Sequence, residues 1–476
     1  MEKFFKLKAN NTTVRTEVIA GLTTFFTMAY IIFVNPSILS LNEGMPWGGI
    51  FVATILASVV GTLVMGLVSN VPYAQAPGMG LNAFFTFTVC GQMGFHWQEA
   101  LALVFFCGLL NIFITVTKFR KSIIRSIPSF LQNAISGGIG LFIAYIGVKN
   151  SGFLSFTSDP GRNIVLDNGT VIADSSIVPG LVAFSAAGPL LALIGLIITV
   201  ILLVKQVKGA IFISIILTTI IGIPMGLVSL GDVKIFDLTA VDDIKDTAFV
   251  LFGNPGIGSI FNSPEKIFLT LVAIFAFSLT DTFDTIGTFV GTGRVSGIFD
   301  DADEETLLNS KGFNSKMERA LFADAFATTT GAMLGTSNVT TFVESASGIS
   351  LGGRTGLTSV VVAAMFLLCL PFAGLFGIVP AEATAPALIV IGVMMMSSFG
   401  KIKWNEFDEA TPAFMTAIIM TFAYNISYGI AAGFMFYCII KAVKGQMKEV
   451  HPILIGATFL FLLNFAILAL RSAGIL

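Results

Sequence analysis

Apolar runs of roughly membrane-spanning length recur along the whole chain, and they constrain its fold more than any other feature. An α-helix needs about 20 apolar residues to cross the hydrocarbon core of a bilayer. Runs near that length occupy residues 48–68, 101–117, 181–204 and 361–375. Only 11% of the 476 residues are charged, whereas a soluble protein carries about 25%. The sequence therefore predicts an all-α polytopic membrane protein with about 12–14 spans.

The charged and metal-binding residue types argue against several classes of protein. A net charge of -2 indicates no nucleic-acid partner. The cysteines are far apart in apolar runs and the histidines flank spans, so neither type has metal-site spacing. These residues are Cys90, Cys107, Cys369, Cys438, His96 and His451. No Walker-type motif of a primary pump and no paired nucleophile and base occur in the sequence. We therefore expect no enzyme activity, no cofactor and no metal.

The N-terminal region predicts how the chain is oriented in the cell membrane. It has no cleavable signal pattern, and Lys3, Lys6, Lys8 and Arg15 precede the first apolar run, residues 18–39. Because positive charges favour the cytoplasmic side, we expect a cytoplasmic N-terminus. Residues 451–471 form a last apolar run, and the sequence leaves open whether it crosses the membrane or lies on it.

A polar segment rich in helix breakers, "GTSNVTTFVESASG" at residues 335–348, lies where a span is expected. Its "SNVTTFVESASG" resembles "SNVPYAQAPGMG" at 69–80, and "VPAEATAPALIVIG" at 379–392 resembles "IPSFLQNAISGGIG" at 127–140. Such repeats, with an odd number of spans each, predict an inverted repeat with two broken helices facing at the midplane. We expect extended stretches that lead into half-helices near Gly78 and Ala346. Two kinked but continuous helices are the alternative.

Four carboxylates lie inside apolar segments, where a charge costs at least about 2.5–3.5 kcal/mol. They are Asp281, Asp284, Asp324 and Glu344. Asp284 and Thr288 share one helix face. Asp284 and Glu344 are candidates for a polar pocket, whereas Asp281 and Asp324 can equally serve to hold helices together. With no basic residue at similar depth, burial favours the neutral carboxyl form, which would suit a proton-coupled carrier.

Several motifs resemble the nucleobase–ascorbate transporters, also called nucleobase:cation symporters, and in particular the AzgA-like purine permeases. They include "APGMGLNAFF" (76–85), "SGGIGLFIAYIGVKN" (136–150), "DTFDTIGT" (281–288) and "LFADAFATTTGAMLGTSNVTTFVESASG" (321–348). The resemblance implies about fourteen segments in two inverted repeats of seven, with short strands in segments 3 and 10. It also implies a core domain at 1–128 and 264–376 (segments 1–4 and 8–11). The implied gate domain comprises 129–263 and 377–476 (segments 5–7 and 12–14).

The same resemblance implies a binding site between the two strands. It assigns Asp284 and Glu344 as hydrogen-bond partners of a purine base. Ala76, Gly78 and Met79 then lie in segment 3 beside the base, with Met79 where related carriers have a stacking Phe. Thr288 stands where other carriers have a His or a second acid. Asp324 matches a functionally important acid of the family in segment 9. From the residues themselves, Asp281 is a further coupling or structural candidate, and Phe342, Phe25 or Phe26 could supply a stacking ring.

The resemblance implies symport of a purine with a cation, a proton before sodium. Guanine and hypoxanthine rank first, adenine second and xanthine third, and a homodimer through the gate domain is compatible with the family. An anion exchanger or an uncoupled facilitator of the same architecture remains the alternative. An anion site would favour basic residues, however, and a facilitator would need no buried acids.

Overall fold

The structure, a computed structural model, shows a bundle of apolar helices. It describes residues 2–117, 127–158, 164–165, 171–172, 177–231, 236, 238–294, 296–299 and 315–472. Within these ranges, eight helices are long and apolar enough to cross a membrane, and four shorter apolar helices accompany them. The prediction of a polytopic helical membrane protein is thus confirmed.

In the described part of the chain, the helices form fourteen segments that alternate in direction. Segments 1–7 are Val14–Met28 with Ile31–Leu39; Trp47–Val64 with Met65–Ser69; Met79–Ala83 with Phe84–Cys90; Trp97–Val116; Ser129–Asn150; Ala187–Val204; and Ala210–Gly222. Segments 8–14 are Pro264–Thr288 with Phe289–Arg294; Lys316–Leu334; Ser345–Ser350; Gly356–Leu368; Ala381–Met396; Phe407–Phe422; and Ile426–Val443. We call the end of the bundle beside the N-terminus the N-terminal end, and the opposite end the far end.

Short strands and helices connect or extend these segments. The strands are β1 (Gln75–Pro77), β2 (Leu154–Ser158), β3 (Ile164–Val165), β4 (Val171–Ile172), β5 (Ile177–Leu181) and β6 (Val339–Thr341). Short helices occupy Glu2–Phe5, Thr239–Asp242, Asp243–Asp246, Val250–Phe252, Ser259–Phe261, Ala373–Gly377, Ser397–Lys401 and Met447–Glu449. A further helix, Pro452–Ser472, follows segment 14 and packs against it.

Polar side chains determine where several segments begin. The Thr13 and Ser263 hydroxyls accept hydrogen bonds from backbone N–H groups in the first turns of segments 1 and 8. Ser315 and Glu318 form a reciprocal capping box at the start of segment 9. The Asn425 side chain caps segment 14 by accepting a hydrogen bond from the Tyr428 N–H. These caps use donors that would otherwise lack partners at the helix ends.

Segments 5 and 12 pack closely, and their contact displays the inverted repeat. The two helices begin immediately after Pro128 and Pro380, the prolines of the second pair of matched motifs. Gly140 and Gly392, the last residues of those motifs, meet at the crossing. A Cβ at Gly392 would lie 2.4 Å from the Gly140 carbonyl oxygen. The two repeats therefore meet across glycines that the sequence match had paired.

The other main group of packed helices contains segments 1–4 and 8–11. Segments 2 and 11 approach so closely that a Cβ at Gly356 would lie 1.8 Å from the Gly66 carbonyl oxygen. Small residues permit such approach between membrane helices. Below, we use the name core for this group and the name gate for segments 5–7 with 12–14.

Segments 3 and 10 are broken helices, as the sequence predicted. Each has a short strand followed by a helix, beginning at Met79 in segment 3 and at Ser345 in segment 10. The alternative of two continuous kinked helices is wrong. Gly335 ends segment 9 with a φ of +100°, which lets the chain turn into β6 without Cβ strain. Because β1 begins at Gln75 and β6 at Val339, the Ser-Asn-Val alignment is out of register with the structural repeat.

A glycine substitution tests the close packing of segments 2 and 11. We expect Gly356→Ala to destabilise the folded protein by about 1–3 kcal/mol, because the new methyl group meets backbone that cannot rotate away. The measurement is thermal unfolding of the detergent-solubilised protein. Gly456→Ala is the matched control, since no described atom lies within 4 Å of a Cβ at Gly456. Equal unfolding temperatures for the two variants would contradict the packing described.

Candidate functional site

An antiparallel pair of short strands lies at the centre of the core. The Cα partners of β1 and β6 are Gln75 with Thr341, Ala76 with Thr340, and Pro77 with Val339. Flanking bonds extend the pair: Gly78 N–H donates to the Asn338 carbonyl (2.9 Å) and Phe342 N–H to the Ala74 carbonyl (3.0 Å). Extended backbone is costly within a membrane unless its polar groups find partners. The two broken helices supply those partners for each other.

The two half-helices differ at their N-termini. In segment 10, the N–H groups of Ser345, Ala346 and Ser347 each donate to the carbonyl three residues earlier. In segment 3, the first backbone hydrogen bond of the helix runs from the Asn82 N–H to the Gly78 carbonyl. The backbone donors ahead of Asn82 are therefore the ones that can face a ligand.

Glu344 lies where β6 gives way to the half-helix of segment 10, and it is half-buried. The Tyr30 hydroxyl, from segment 1, donates a 2.5 Å hydrogen bond to Glu344 Oε1. Tyr30 is itself almost fully buried, and its ring lies 6.4 Å from that of Phe342. This bond orients the carboxylate and leaves its second oxygen for another donor.

Asp284, on segment 8, is exposed and lies close enough to Glu344 and Tyr30 to interact with both. Gly287, one turn later, is exposed as well, and no described atom lies within 4 Å of a Cβ placed there. Val343, beside Glu344, is 50% exposed. We call the exposed surface formed by these three positions and Glu344 the cleft.

Asp324, on segment 9, is buried and held by several donors. Its Oδ1 accepts hydrogen bonds from Thr285 Oγ1 (2.8 Å), Thr341 Oγ1 (2.8 Å) and Gln75 Nε2 (3.2 Å). Gln75 and Thr341 are opposite each other on the two strands. Asp324 therefore ties both strands to segments 8 and 9.

Asp281 is fully buried one turn before Asp284 on segment 8. Its Oδ2 accepts hydrogen bonds from Asn111 Nδ2 (3.0 Å) on segment 4 and from Thr328 Oγ1 (3.2 Å) on segment 9.

Among the residues that the structure describes, no group of three or more His, Cys, Asp or Glu side chains could hold a metal ion.

The remaining residues predicted for the site lie around the strand pair. Ala76 and Gly78 are buried in it, and a Cβ at Gly78 would lie 2.5 Å from Thr340 Cγ2. Met79 and Thr288 are also buried, with 6% of each exposed.

The candidate stacking rings differ in their surroundings. Phe342 is 5% exposed and adjoins Tyr30. Phe25 packs edge-on against Phe366, with ring centroids 5.2 Å apart. Phe26 is 43% exposed and faces Phe212 of segment 7. Phe342 is thus the candidate ring nearest to Glu344.

The sequence reasoning missed four polar residues that hold the carboxylates. Tyr30 contacts Glu344, Gln75 and Thr285 contact Asp324, and Asn111 contacts Asp281. Asn111 carried a signal, because an amide within the apolar run 101–117 needs a polar partner. Tyr30 lay in a run of apolar residues, where a tyrosine is ordinary packing.

A cavity of about 470 Å³ lies at the far end of the bundle rather than at the carboxylates. It adjoins bonds between the turn after segment 3 and the turn before segment 14. Gln92 Nε2 donates to the carbonyls of Ala423 (3.0 Å) and Tyr424 (2.9 Å), and Asn425 Nδ2 donates to Gln92 Oε1 (2.6 Å). The Lys149 ammonium lies 5.0 Å from the centroid of the Tyr424 ring. The Gln92 bonds join core to gate at the far end, while the contact of Lys149 with Tyr424 lies within the gate.

Comparison with known proteins identifies the family to which this chain belongs. The model of the permease family Xan_ur_permease matches residues 15–432. The chain is 37% identical to adenine permease AdeP of Escherichia coli strain K12, over 98% of this chain and 95% of AdeP. It is 39% identical to guanine/hypoxanthine permease PbuG of Bacillus subtilis strain 168, over 98% of this chain and 100% of PbuG. These relatives confirm the resemblance found in the motifs.

A solved structure shows the same fold. The transmembrane domain of the cyanobacterial bicarbonate transporter BicA matches with a TM-score of 0.56 and 17% identity, over 87% of this chain and 97% of that domain. At this identity the likeness concerns architecture, and it supports the inverted-repeat arrangement. The chain belongs to the permease family and is a multi-pass membrane transporter, not an enzyme.

Proposed function

We propose that the protein imports purine nucleobases together with a cation, a proton rather than sodium. Guanine and hypoxanthine are the preferred substrates, followed by adenine and then xanthine. The observation that carries the proposal is the pair of carboxylates, Asp284 and Glu344, at the wall of a cleft beside the paired strands. The names of the relatives AdeP and PbuG support the substrate class.

The chemistry of the cleft suits a purine. Guanine presents N–H donors on both of its rings, and a carboxylate accepts such donors strongly. Glu344 keeps one oxygen free of the Tyr30 bond, and Asp284 is exposed. Backbone N–H groups at the start of the segment-3 half-helix can meet ring nitrogens or the carbonyl oxygen. Adenine lacks the N1–H donor, so it satisfies these two acids less completely.

An anionic substrate fits the same cleft poorly. Two carboxylates that interact with each other would repel an anion. The likeness to the bicarbonate transporter BicA lies in the fold, and fold alone does not determine substrate. The acids also distinguish the proposal from an uncoupled facilitator, which would have no use for them.

We further propose that the core, residues 1–128 and 264–376, moves against the gate, residues 129–263 and 377–476, to alternate access. The bonds of Gln92 and Asn425 join the two at the far end. With a cytoplasmic N-terminus in the cell membrane, this arrangement is closed to the outside. A homodimer through the gate would keep the gate fixed while the core moves.

Transport assays in purine-transport-deficient cells test the substrate and the coupling ion. We expect saturable uptake of radiolabelled hypoxanthine and guanine, weaker uptake of adenine, and loss of accumulation when a protonophore is added. Replacing sodium in the medium should have no effect, because the proton gradient supplies the energy. Cells carrying the empty vector are the control. Uptake that survives the protonophore but requires sodium would contradict proton coupling, and no purine uptake would contradict the substrate class.

Removing one hydroxyl tests the role of Tyr30. We expect Tyr30→Phe to raise the KM for the purine about tenfold, because a hydrogen bond to a charged group holds Glu344 in place. The maximal rate should change less, since the ring that packs in segment 1 is retained. Tyr437→Phe, in segment 14 away from the cleft, is the matched control. Equal KM values for the two variants would contradict the assignment.

A further inference from the structure

Asp281, one helical turn before the exposed Asp284, buries a carboxyl oxygen that has no hydrogen-bond partner among the described residues. Its side chain is 0% exposed. Both donors that reach it, Asn111 and Thr328, bond the same oxygen, Oδ2. Among the described residues, the other oxygen, Oδ1, has no hydrogen-bond partner, and no ion pair involves Asp281.

A second oxygen without a partner belongs to Asn338, just before β6. The Asn338 side chain is 0% exposed and interacts with the Asp281 carboxyl. Its Nδ2 donates to Cys107 Sγ (3.3 Å), while within the described chain Oδ1 receives no donor. Two neighbouring side chains thus each bury an acceptor oxygen with nothing to accept. That is costly in a low-dielectric interior.

One proton would satisfy both oxygens. Bound to Asp281 Oδ1, it turns an acceptor into a hydroxyl donor, and Asn338 Oδ1 is an unpartnered acceptor on a neighbouring side chain. The same proton removes the charge of a fully buried carboxylate that lacks a cation partner. We propose that Asp281 is the site of the co-transported proton, with Asn338 accepting its hydrogen bond. This inference rests on the proposed proton symport.

The other titratable groups near Asp281 are less suited to the task. Asp324 on segment 9 already receives three donors on Oδ1 and also interacts with the Thr341 backbone. Such donors stabilise its ionised form. Asp284, on the same helix as Asp281, faces the cleft. The Cys107 sulfur, on segment 4, already accepts a hydrogen bond from the Asn338 amide.

The bonds around Asp281 lead directly to the strand pair. The Asn338 carbonyl accepts the N–H of Gly78, which precedes the segment-3 half-helix. Thr328 Oγ1 lies within hydrogen-bond distance of both Asp281 Oδ2 and the Val339 carbonyl (2.9 Å) of β6. A change of proton occupancy at Asp281 therefore alters contacts of both strands that flank the substrate cleft.

Two transport modes in proteoliposomes separate proton binding from substrate binding. Asp281→Asn mimics the protonated acid, because its Nδ2 can donate to Asn338 Oδ1. We expect this variant to retain exchange of external labelled hypoxanthine for internal unlabelled hypoxanthine. Accumulation driven by an inward proton gradient should fall to the level without a gradient. Cys107→Ser, which keeps an acceptor for Asn338, is the matched control and should retain both modes.

Three outcomes would overturn the proposal. One is proton-driven accumulation by Asp281→Asn; another is loss of exchange by a monodisperse Asp281→Asn protein. The third is that the wild type accumulates hypoxanthine along a sodium gradient instead of a proton gradient, and that Asp281→Asn abolishes this accumulation. If the wild type accumulates no purine under any gradient, the proposed function itself fails, whatever Asp281 does.

A second variant tests the site even if Asp281→Asn does not fold. Asn111→Leu removes a donor to the Asp281 carboxylate, so the ionised form loses stabilisation and the proton is held to higher pH. We expect uptake by Asn111→Leu to fall to half at a pH about one unit higher than uptake by the wild type does. An unchanged pH profile would overturn the proposal.

Discussion

The pairing of β1 with β6 is the interaction on which the rest of the structure depends. Backbone that leaves a helix at membrane depth must find hydrogen-bond partners inside the protein. Residues 75–77 and 339–341 provide them for each other, although they come from opposite halves of the chain. The pairing brings two helix breaks to one place, and it therefore requires the two repeats to be inverted with respect to each other.

That pair places three of the four carboxylates that lie inside apolar segments. Glu344 follows β6 directly and is oriented by Tyr30, while Asp324 bonds one residue of each strand. Asp281 reaches the strands through Asn338 and Thr328. The arrangement separates an exposed acid, Asp284, from a buried one, Asp281, within one helical turn. Substrate and proton can therefore occupy different carboxylates and still act on the same few backbone bonds.

Much of the fold could be predicted from the sequence because membrane length, inverted repeats and buried charge are strong constraints. The breaks near Gly78 and Ala346 followed from breaker residues inside apolar runs. The match of 127–140 with 379–392 paired two segments whose helices begin after equivalent prolines, Pro128 and Pro380. The register of the strands did not follow, since three shared residues are too few to align backbone that pairs across the repeats. Tyr30 escaped prediction because its long-range contact leaves no local pattern, whereas Asn111 was marked only as an amide inside an apolar run, without its partner.

The central claim, that the cleft at the strand pair binds a purine through its acids, is tested most directly by equilibrium binding. Labelled guanine would be titrated onto purified wild type, Glu344→Gln and, as a matched control, Glu382→Gln at the start of segment 12. We expect saturable binding to the wild type and the control, and a loss of at least about tenfold in affinity for Glu344→Gln. Unchanged binding to a folded Glu344→Gln protein would contradict the account.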